Sequence, residues 1–187
     1  MNKGLAMTPI PHQHRSLIAR LGSIMQLAWV PQDYDATLRY WTDVMGVGPF
    51  FDMQHIKVEA CHYRGQPVHL DFSVAIAYWG DMQIELIRQH NDAPSIYQSW
   101  LKQGREGLHH VCLKVGSMTE ARALCAEAGA EVMQEVWLPG GGEAIYVDLG
   151  GLMVEMIDFP QQHLAVFADM HAAAANWDGS DPVRVLA

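Results

Sequence analysis

The sequence predicts an α+β fold built from two tandem βαβββ modules, which together supply eight strands. Residues 26–46 and 110–129 each read as a strand, a capped helix and a stop glycine at nearly equal spacing. Residues 80–87 and 150–157 align without a gap, each a turn followed by a strand that carries one glutamate opposite its apolar residues. The predicted organisation is an N-terminal extension at 1–22, a first module at 23–90, a connecting helix at 91–106, a second module at 107–159 and a C-terminal helical tail at 160–187.

The first strand of the second module, residues 107–115, alternates between two faces. Its valines and leucine at 111, 113 and 115 form an apolar side, whereas His110, Cys112 and Lys114 point to the other side. A cavity on the polar side would explain this pattern. Ser117 and Glu120 form a capping-box pattern at the start of the following helix, which Gly129 would end in a left-handed conformation.

The first module repeats this arrangement. Gln26 lies in its first strand, Asp33 is the predicted N-cap of its helix, and Gly46 is the predicted stop. Gln26 and His110 therefore occupy equivalent places in the two copies. The glutamates of the aligned strands, Glu85 and Glu155, form a second equivalent pair.

The first module is longer than the second between its helix and its glutamate strand. The additional residues fall within 52–71, a segment rich in histidine, lysine and arginine. Loops on a rigid scaffold often carry specificity, so the segment is interpreted as a hairpin or a lid over the cavity. A solvated polar loop is the alternative.

Two further helices are expected outside the modules. Asp92 or Ser95 can cap a short connecting helix that Gly104 closes. The tail predicts a helix over residues 162–176, whose apolar residues would pack on the body or on a partner chain, unless this terminus is frayed.

Composition narrows the class of partner. The chain has 187 residues, 50% of them hydrophobic, and a formal charge of −9 with no lysine or arginine run, which argues against nucleic acid and anionic membranes. No apolar run approaches the roughly 20 residues of a membrane span. Three cysteines without C-x-x-C spacing indicate neither a disulfide framework nor a thiolate zinc site. We therefore expect a soluble cytoplasmic protein with a small-molecule ligand.

The four equivalent polar residues Gln26, Glu85, His110 and Glu155 predict a metal site. Taken singly, a glutamate on a strand is usually solvated and a histidine is usually structural. Together on one face, two carboxylates, an imidazole and an amide oxygen would repel one another without a cation. One nitrogen and three oxygens suit a divalent ion such as Zn²⁺, Ni²⁺, Co²⁺ or Mn²⁺. His109 has the opposite parity and is expected to be structural or to support the ligands from behind.

Parity also predicts cavity-lining residues. Gln83, Cys112, Lys114 and Met153 share the face of the proposed ligands and should line the cavity.

These residues carry a family resemblance. The quartet Gln26, Glu85, His110 and Glu155 resembles the Gln/Glu/His/Glu set of glyoxalase I. Residues 83–87 and 91–110 resemble methylmalonyl-CoA epimerase. Over about residues 24–158 the chain is similar to the vicinal oxygen chelate superfamily, also called the glyoxalase/bleomycin resistance/dioxygenase superfamily. The resemblance implies a curved eight-stranded mixed sheet around a metal cavity, and a homodimer.

The resemblance also implies a chemistry. A metal-dependent isomerase, epimerase or lyase would move a proton beside a carbonyl through a metal-stabilised enediolate. Glu155 is the first candidate for ligand and base, and Glu85 is the other. Two alternatives stay open: a small-molecule binding or resistance protein on the same fold, and an extradiol-type dioxygenase, for which Gln26 replaces a histidine ligand.

Overall fold

The computed structural model describes residues 18–186, so most of the predicted N-terminal extension lies outside the described residues. The strands are β1 (Ile24–Trp29), β2 (Phe50–Met53), β3 (Ala60–Tyr63), β4 (Gln66–Pro67), β5 (Phe72–Trp79), β6 (Met82–Gln89), β7 (Leu108–Lys114), β8 (Glu131–Leu138), β9 (Gly142–Asp148), β10 (Met153–Asp158) and β11 (Val183–Leu186). The helices are α1 (Tyr34–Arg39), α2 (Ile96–Lys102), α3 (Met118–Glu127) and α4 (Gln161–Ala175). A π-helical segment, Tyr40–Val44, continues α1.

All of these strands form one mixed sheet. Its order is β11-β2-β5-β6-β1-β7-β10-β9-β8-β3-β4. The four central strands of each module are arranged alike, because β1 is parallel to β6 just as β7 is parallel to β10, and the antiparallel pair β1–β7 joins the two halves. The predicted α+β fold with two repeated modules is confirmed, and three additional strands extend the sheet beyond the predicted eight.

Strand register establishes which residues of the two modules are equivalent. Gln26 of β1 lies opposite Gln83, two residues before Glu85 on β6. His110 of β7 lies opposite Met153, two residues before Glu155 on β10. Gln26 and Glu85 are therefore offset from each other in the first module as His110 and Glu155 are in the second.

Two helices cover one face of the sheet. α1 and its π-helical extension pack through Trp41 on Ile84 and Leu86 of β6. α3 packs through Ala121 and Cys125 on an equivalent apolar layer. Because side chains alternate along a strand, the neighbours of these apolar residues face the opposite, concave side.

The helix starts agree with the sequence. Asp33 accepts a hydrogen bond from the Ala36 amide at 2.9 Å, and Ser117 accepts one from the Glu120 amide at 3.3 Å. Of the two candidates for capping α2, Ser95 forms the cap. Gly46 and Gly129 have φ values of 65° and 68°, the left-handed conformation expected at a helix stop.

The additional residues of the first module form a hairpin at the sheet edge. β3 and β4 pair with each other, and β3 also pairs antiparallel with β8 of the second module. The segment leading to the hairpin bridges both modules, because the Ile56 amide donates to the Phe72 carbonyl and the Glu59 amide donates to the Trp137 carbonyl, both at 2.8 Å. This connection crosses from one module to the other.

The tail contains the predicted helix and one unexpected strand. α4 contacts β5, and β11 pairs parallel with β2 at the far edge of the sheet. Within residues 18–186, no helix has the length and hydrophobicity that crossing a membrane requires.

Candidate metal centre

The structure brings the predicted ligands together on the concave face. The side chains of Glu85, His110 and Glu155 come from β6, β7 and β10, and their possible ligand atoms all lie within 4.8 Å of one another. His110 Nε2 is 3.2 Å from Glu155 Oε2 and 3.6 Å from Glu85 Oε2. Gln26 lines the same cavity as the two glutamates. None of the four lies on the helix-covered face.

Gln26 is oriented by a chain of amide and phenol groups. Its Nε2 donates to Gln83 Oε1 at 3.0 Å, and Gln83 Nε2 donates to the Tyr78 hydroxyl at 2.6 Å. The carbonyl oxygen of Gln26 takes no part in this chain. That oxygen is the atom through which a glutamine binds a cation.

His110 is oriented by its neighbour. The Nδ1 atoms of His109 and His110 are 2.8 Å apart, so one ring donates and the other accepts. His109 is buried against the rings of Tyr97 and Trp100. Burial, together with the charge of His110, holds the pKa of His109 well below its usual range, which favours the neutral ring. When His109 accepts at Nδ1, a neutral His110 ring carries its proton on Nδ1, and its Nε2 lone pair is available to a metal.

The two glutamates are held differently, because their partners across the sheet differ. Glu155 lies opposite Tyr146 on β9, whose hydroxyl donates to Glu155 Oε1 at 2.8 Å. Tyr97 in turn donates to the Tyr146 hydroxyl at 3.3 Å. Glu85 lies opposite Ile76, which offers no hydrogen bond. Glu155 is therefore anchored, whereas the side chain of Glu85 makes no hydrogen bond with the described residues.

The pKa values of the carboxyls reflect this difference. Burial, reinforced by the charge of Glu155, raises the pKa of Glu85 well above its usual value. Burial also acts to raise the pKa of Glu155, but the adjacent His110 ring and the hydrogen bond from Tyr146 outweigh it and leave the pKa below its usual value. Both phenols, Tyr97 and Tyr146, have pKa values raised well above the usual range, first through burial, and act as neutral donors.

The donor set fits a divalent cation. His110 Nε2 is buried and has no hydrogen-bond partner among the described residues, although it lies between two carboxylates. An orphaned nitrogen in such a place is costly unless it has a ligand. Two buried carboxylates with oxygens within 4.8 Å of each other also need positive charge nearby, which a divalent ion supplies.

Three of the four predicted ligands, Gln26, Glu85 and Glu155, line an apolar cavity of about 150 Å³. None of the four residues predicted to line it does so. Two of them are buried next to the site: Cys112 pairs with Glu155 across the sheet, and Gln83 accepts a hydrogen bond from Gln26. Lys114 is exposed at the end of β7, and Met153 lines a different pocket next to His109, because the strands twist these positions away from the cavity.

The structure also adds cavity residues that the strand pattern did not identify. Tyr146 could have been found by counting back across the turn from Glu155 to the residue opposite it. Phe159 and three residues of α4, His163, Val166 and Phe167, line the cavity from the tail. No sequence signal connects the tail with a site formed so far away along the chain.

A second group of possible metal ligands lies at the surface. His55, Asp71 and His90 have ligand atoms within 4.8 Å of one another, and His55 Nδ1 is 2.7 Å from Asp71 Oδ1. Both histidines are exposed, so water can satisfy them without a metal. This group has to be controlled for in any measurement of metal content.

Comparison with solved structures identifies related folds. A variant of methylmalonyl-CoA epimerase from Streptomyces coelicolor, in complex with 2-nitronate-propionyl-CoA, has a TM-score of 0.50 and 16% identity over 74% of this chain and 94% of that chain. A hypothetical protein from Bacillus halodurans has a TM-score of 0.52 and 16% identity over 75% and 96% of the two chains. At this identity, the similarity shows a shared fold.

A third neighbour shows how widely the fold is used. A mutant of 4-hydroxymandelate synthase from Streptomyces coelicolor has a TM-score of 0.50 and 12% identity, covering 74% of this chain and 39% of that chain. No curated protein sequence matches this chain.

The match to a family model is independent of these structures. The model of the glyoxalase/bleomycin resistance protein/dioxygenase superfamily matches residues 25–147, well over half of the chain. That range contains three of the four predicted ligands, and Glu155 follows it on β10. By this match and by its fold, the chain belongs to the glyoxalase/bleomycin resistance protein/dioxygenase superfamily.

Proposed function

We propose that the protein is a metal-dependent isomerase, epimerase or lyase that moves a proton on the carbon beside a substrate carbonyl. The observation that carries the proposal is the buried, unpartnered Nε2 of His110 between the carboxylates of Glu85 and Glu155, both of which line an apolar cavity. The superfamily fold supports it, because enzymes with this kind of chemistry are among its structural neighbours.

Four residues would hold the cation. They are His110 through Nε2, Glu85 and Glu155 through their carboxylates, and Gln26 through its carbonyl oxygen. A divalent ion bound there would polarise the substrate carbonyl and stabilise the enediolate that forms when the adjacent carbon loses its proton. Zn²⁺, Ni²⁺, Co²⁺ and Mn²⁺ all accept this set of donors.

The two carboxylates would divide the work. Glu155 is fixed by the hydrogen bond from the Tyr146 hydroxyl, which suits a ligand that must keep its place. Glu85 lacks such an anchor and lines the cavity, which suits a carboxylate that takes a proton from the substrate and returns it. The geometry thus favours Glu85 as the proton carrier, reversing the order that the sequence suggested.

The apolar walls would protect the reaction. With few competing polar groups in the cavity, bound substrate displaces water, and the electrostatic interactions around the developing charge become stronger. The neutral phenols of Tyr97 and Tyr146 contribute donors without adding charge.

Hydrogen exchange in deuterated water tests this proposal. Metal-loaded protein is incubated with carbonyl compounds that carry a hydrogen on the adjacent carbon, including acyloins, 2-substituted acyl thioesters and thiohemiacetals of 2-oxoaldehydes. Deuterium should enter that carbon. Glu85→Gln should slow the exchange about 10²- to 10⁴-fold while much of the metal is retained. Glu155→Gln should reduce both metal content and exchange.

Other outcomes would point to other functions of the superfamily. Exchange on none of these compounds, combined with tight binding of an unreacted compound by metal-free protein, would contradict the proposal in favour of a binding protein. Consumption of oxygen with a catechol by the iron-loaded protein would contradict it in favour of an oxygenase.

A further inference from the structure

We infer that the substrate is an uncharged, largely apolar carbonyl compound, and not one attached to an anionic carrier such as coenzyme A or glutathione. The inference rests on the proposed function and concerns the rest of the cavity. It follows from the walls of the cavity, from the position of nearby cations, and from the helix of the tail.

The walls beyond the metal centre are apolar and come from both modules. β5 contributes Phe72, Val74 and Ile76, and the second module contributes Val136 and Ile157. Each is largely buried. Hydrocarbon placed against such side chains gains the full benefit of leaving water, about 0.8 kcal/mol per CH₂ group in general, which corresponds to roughly fourfold in Kd.

The lining provides no positive charge for an anionic substrate. Apart from two tyrosines, the titratable side chains that line the cavity are those of Glu85, Glu155 and His163. No lysine or arginine is among the described residues that line it. A phosphate or carboxylate buried away from the metal would lack a counter-ion. Burying an unpaired charge is far more costly than burying a neutral polar group.

Two arginines lie together in a different pocket. Arg64 and Arg105 line a separate polar pocket, which shares no residue with the cavity. Arg105 stacks on the Trp100 ring at 4.0 Å. Neither arginine can neutralise a group inside the cavity.

The tail helix contributes one wall of the cavity. Val166 and Phe167 of α4 line the cavity, and Phe167 packs edge-on against Phe159 with ring centroids 5.0 Å apart. His163, also on α4, has a buried Nδ1 without a partner among the described residues. This nitrogen can form a hydrogen bond with a hydroxyl or carbonyl group of the substrate. A single neutral polar group there is therefore compatible with the cavity, and a charged chain is not.

The test compares neutral and anionic probes on the zinc-loaded full-length protein. The neutral probes are acetoin, butyroin and benzoin, and the anionic probes are methylmalonyl-CoA and the hemithioacetal of methylglyoxal with glutathione. Dissociation constants are measured by calorimetry, and deuterium exchange is measured on the same samples. Binding should tighten from acetoin to butyroin by about fourfold per buried CH₂ group, and the anionic probes should bind at least about tenfold more weakly than butyroin.

A charge placed at the cavity provides a matched pair of variants. Val166→Lys introduces an ammonium group at a position that lines the cavity and is itself 42% exposed, whereas Ala165→Lys introduces one at the preceding exposed position, which does not line the cavity. Val166→Lys should weaken binding of butyroin about tenfold, and Ala165→Lys should leave it within about twofold. Equal effects of the two variants would overturn the assignment of this wall to the substrate.

The outcomes separate this inference from the proposed function. Exchange on the coenzyme A or glutathione compounds, with no binding of acyloins, would overturn the inference and leave the proposed chemistry standing. Size-dependent acyloin binding without exchange would support the ligand class and contradict the proposed chemistry.

Discussion

At the scale of single residues, the difference between Glu85 and Glu155 follows from one position on each neighbouring strand. Tyr146 lies opposite Glu155, and Ile76 lies opposite Glu85 in the other module. A phenol can donate to a buried carboxylate and stabilise its charged form, whereas an isoleucine cannot. Two modules of the same architecture thereby present one anchored carboxylate and one that is free to move.

Replacing the phenol should reveal the anchor. Tyr146→Phe removes the donor to Glu155 Oε1 and leaves a buried carboxylate oxygen without it. The free energy of unfolding should fall by about 1–3 kcal/mol, as measured by urea denaturation of the metal-free protein. Tyr97→Phe is the control, because Tyr97 donates to Tyr146 and not to the carboxylate. An equal loss in both variants would mean that the hydrogen bond to Glu155 has no special weight.

The two adjacent histidines should differ in their effect on metal content. His110→Ala removes the nitrogen between the carboxylates, so most of the bound metal should be lost. His109→Ala removes only the partner of His110 Nδ1 and should weaken metal affinity about tenfold. Metal is quantified after dialysis against a limiting concentration of Zn²⁺. His90→Ala controls for the exposed group of possible ligands. Similar losses in the two main variants would contradict the roles assigned from strand parity.

The alternation of side chains along the strands explains which residues of the site could be predicted from the sequence and which could not. Alternation along β7 and the equivalence of the modules were enough to select Gln26, Glu85, His110 and Glu155 from the many polar residues of the chain. The same alternation was wrong for Lys114 and Met153, which lie near strand ends. There the twist of the sheet, which depends on the neighbouring strands, decides where a side chain points.

At the scale of elements, the hairpin of the first module belongs to the sheet of the second. β3 covers the edge of β8, and Cys61 within it is only 3% exposed. The sequence showed that extra residues were present but left a hairpin, a lid and a solvated loop open. The partner strand lies far along the chain, and pairing between such distant segments leaves no periodic signal in either.

Deleting the hairpin should therefore affect stability and not only ligand binding. Joining residues 59 and 68 through a short glycine-serine link exposes the edge of β8 and the apolar groups under β3. We expect the free energy of unfolding to fall by roughly 3 kcal/mol or more, measured by urea denaturation. Gly65→Ala, at the hairpin turn with φ of 73°, is the milder control and should cost about 1 kcal/mol. Unchanged stability after the deletion would show that the hairpin is a separate lid.

At the scale of the whole molecule, the tail ties one end of the sheet to the cavity. β11 pairs with β2, and α4 runs from the cavity towards it. Between them Trp177 donates through Nε1 to the Ser180 carbonyl at 2.7 Å. Its ring packs so closely on Gly48 that an added Cβ there would lie 2.7 Å from it. The helix was predictable from its composition, whereas β11 was not, because four residues carry too little pattern to indicate a parallel partner.

Loosening this attachment should open the cavity without disturbing the metal centre. Trp177→Ala removes the ring that holds the tail against Gly48, and Gly48→Ala pushes the same ring away, so both should free α4 from the body. We expect about 1–3 kcal/mol of lost stability and faster cleavage of the tail in limited proteolysis. Butyroin should bind several-fold more weakly, because Val166 and Phe167 then spend less time against it. Trp177→Phe keeps part of the packing and should lie between wild type and Trp177→Ala.

Metal content should stay the same in all of these variants, since Gln26, Glu85, His110 and Glu155 lie on β1, β6, β7 and β10, apart from the tail. Loss of metal together with the tail would show that α4 and β11 hold the two modules in register, and not only the cavity closed.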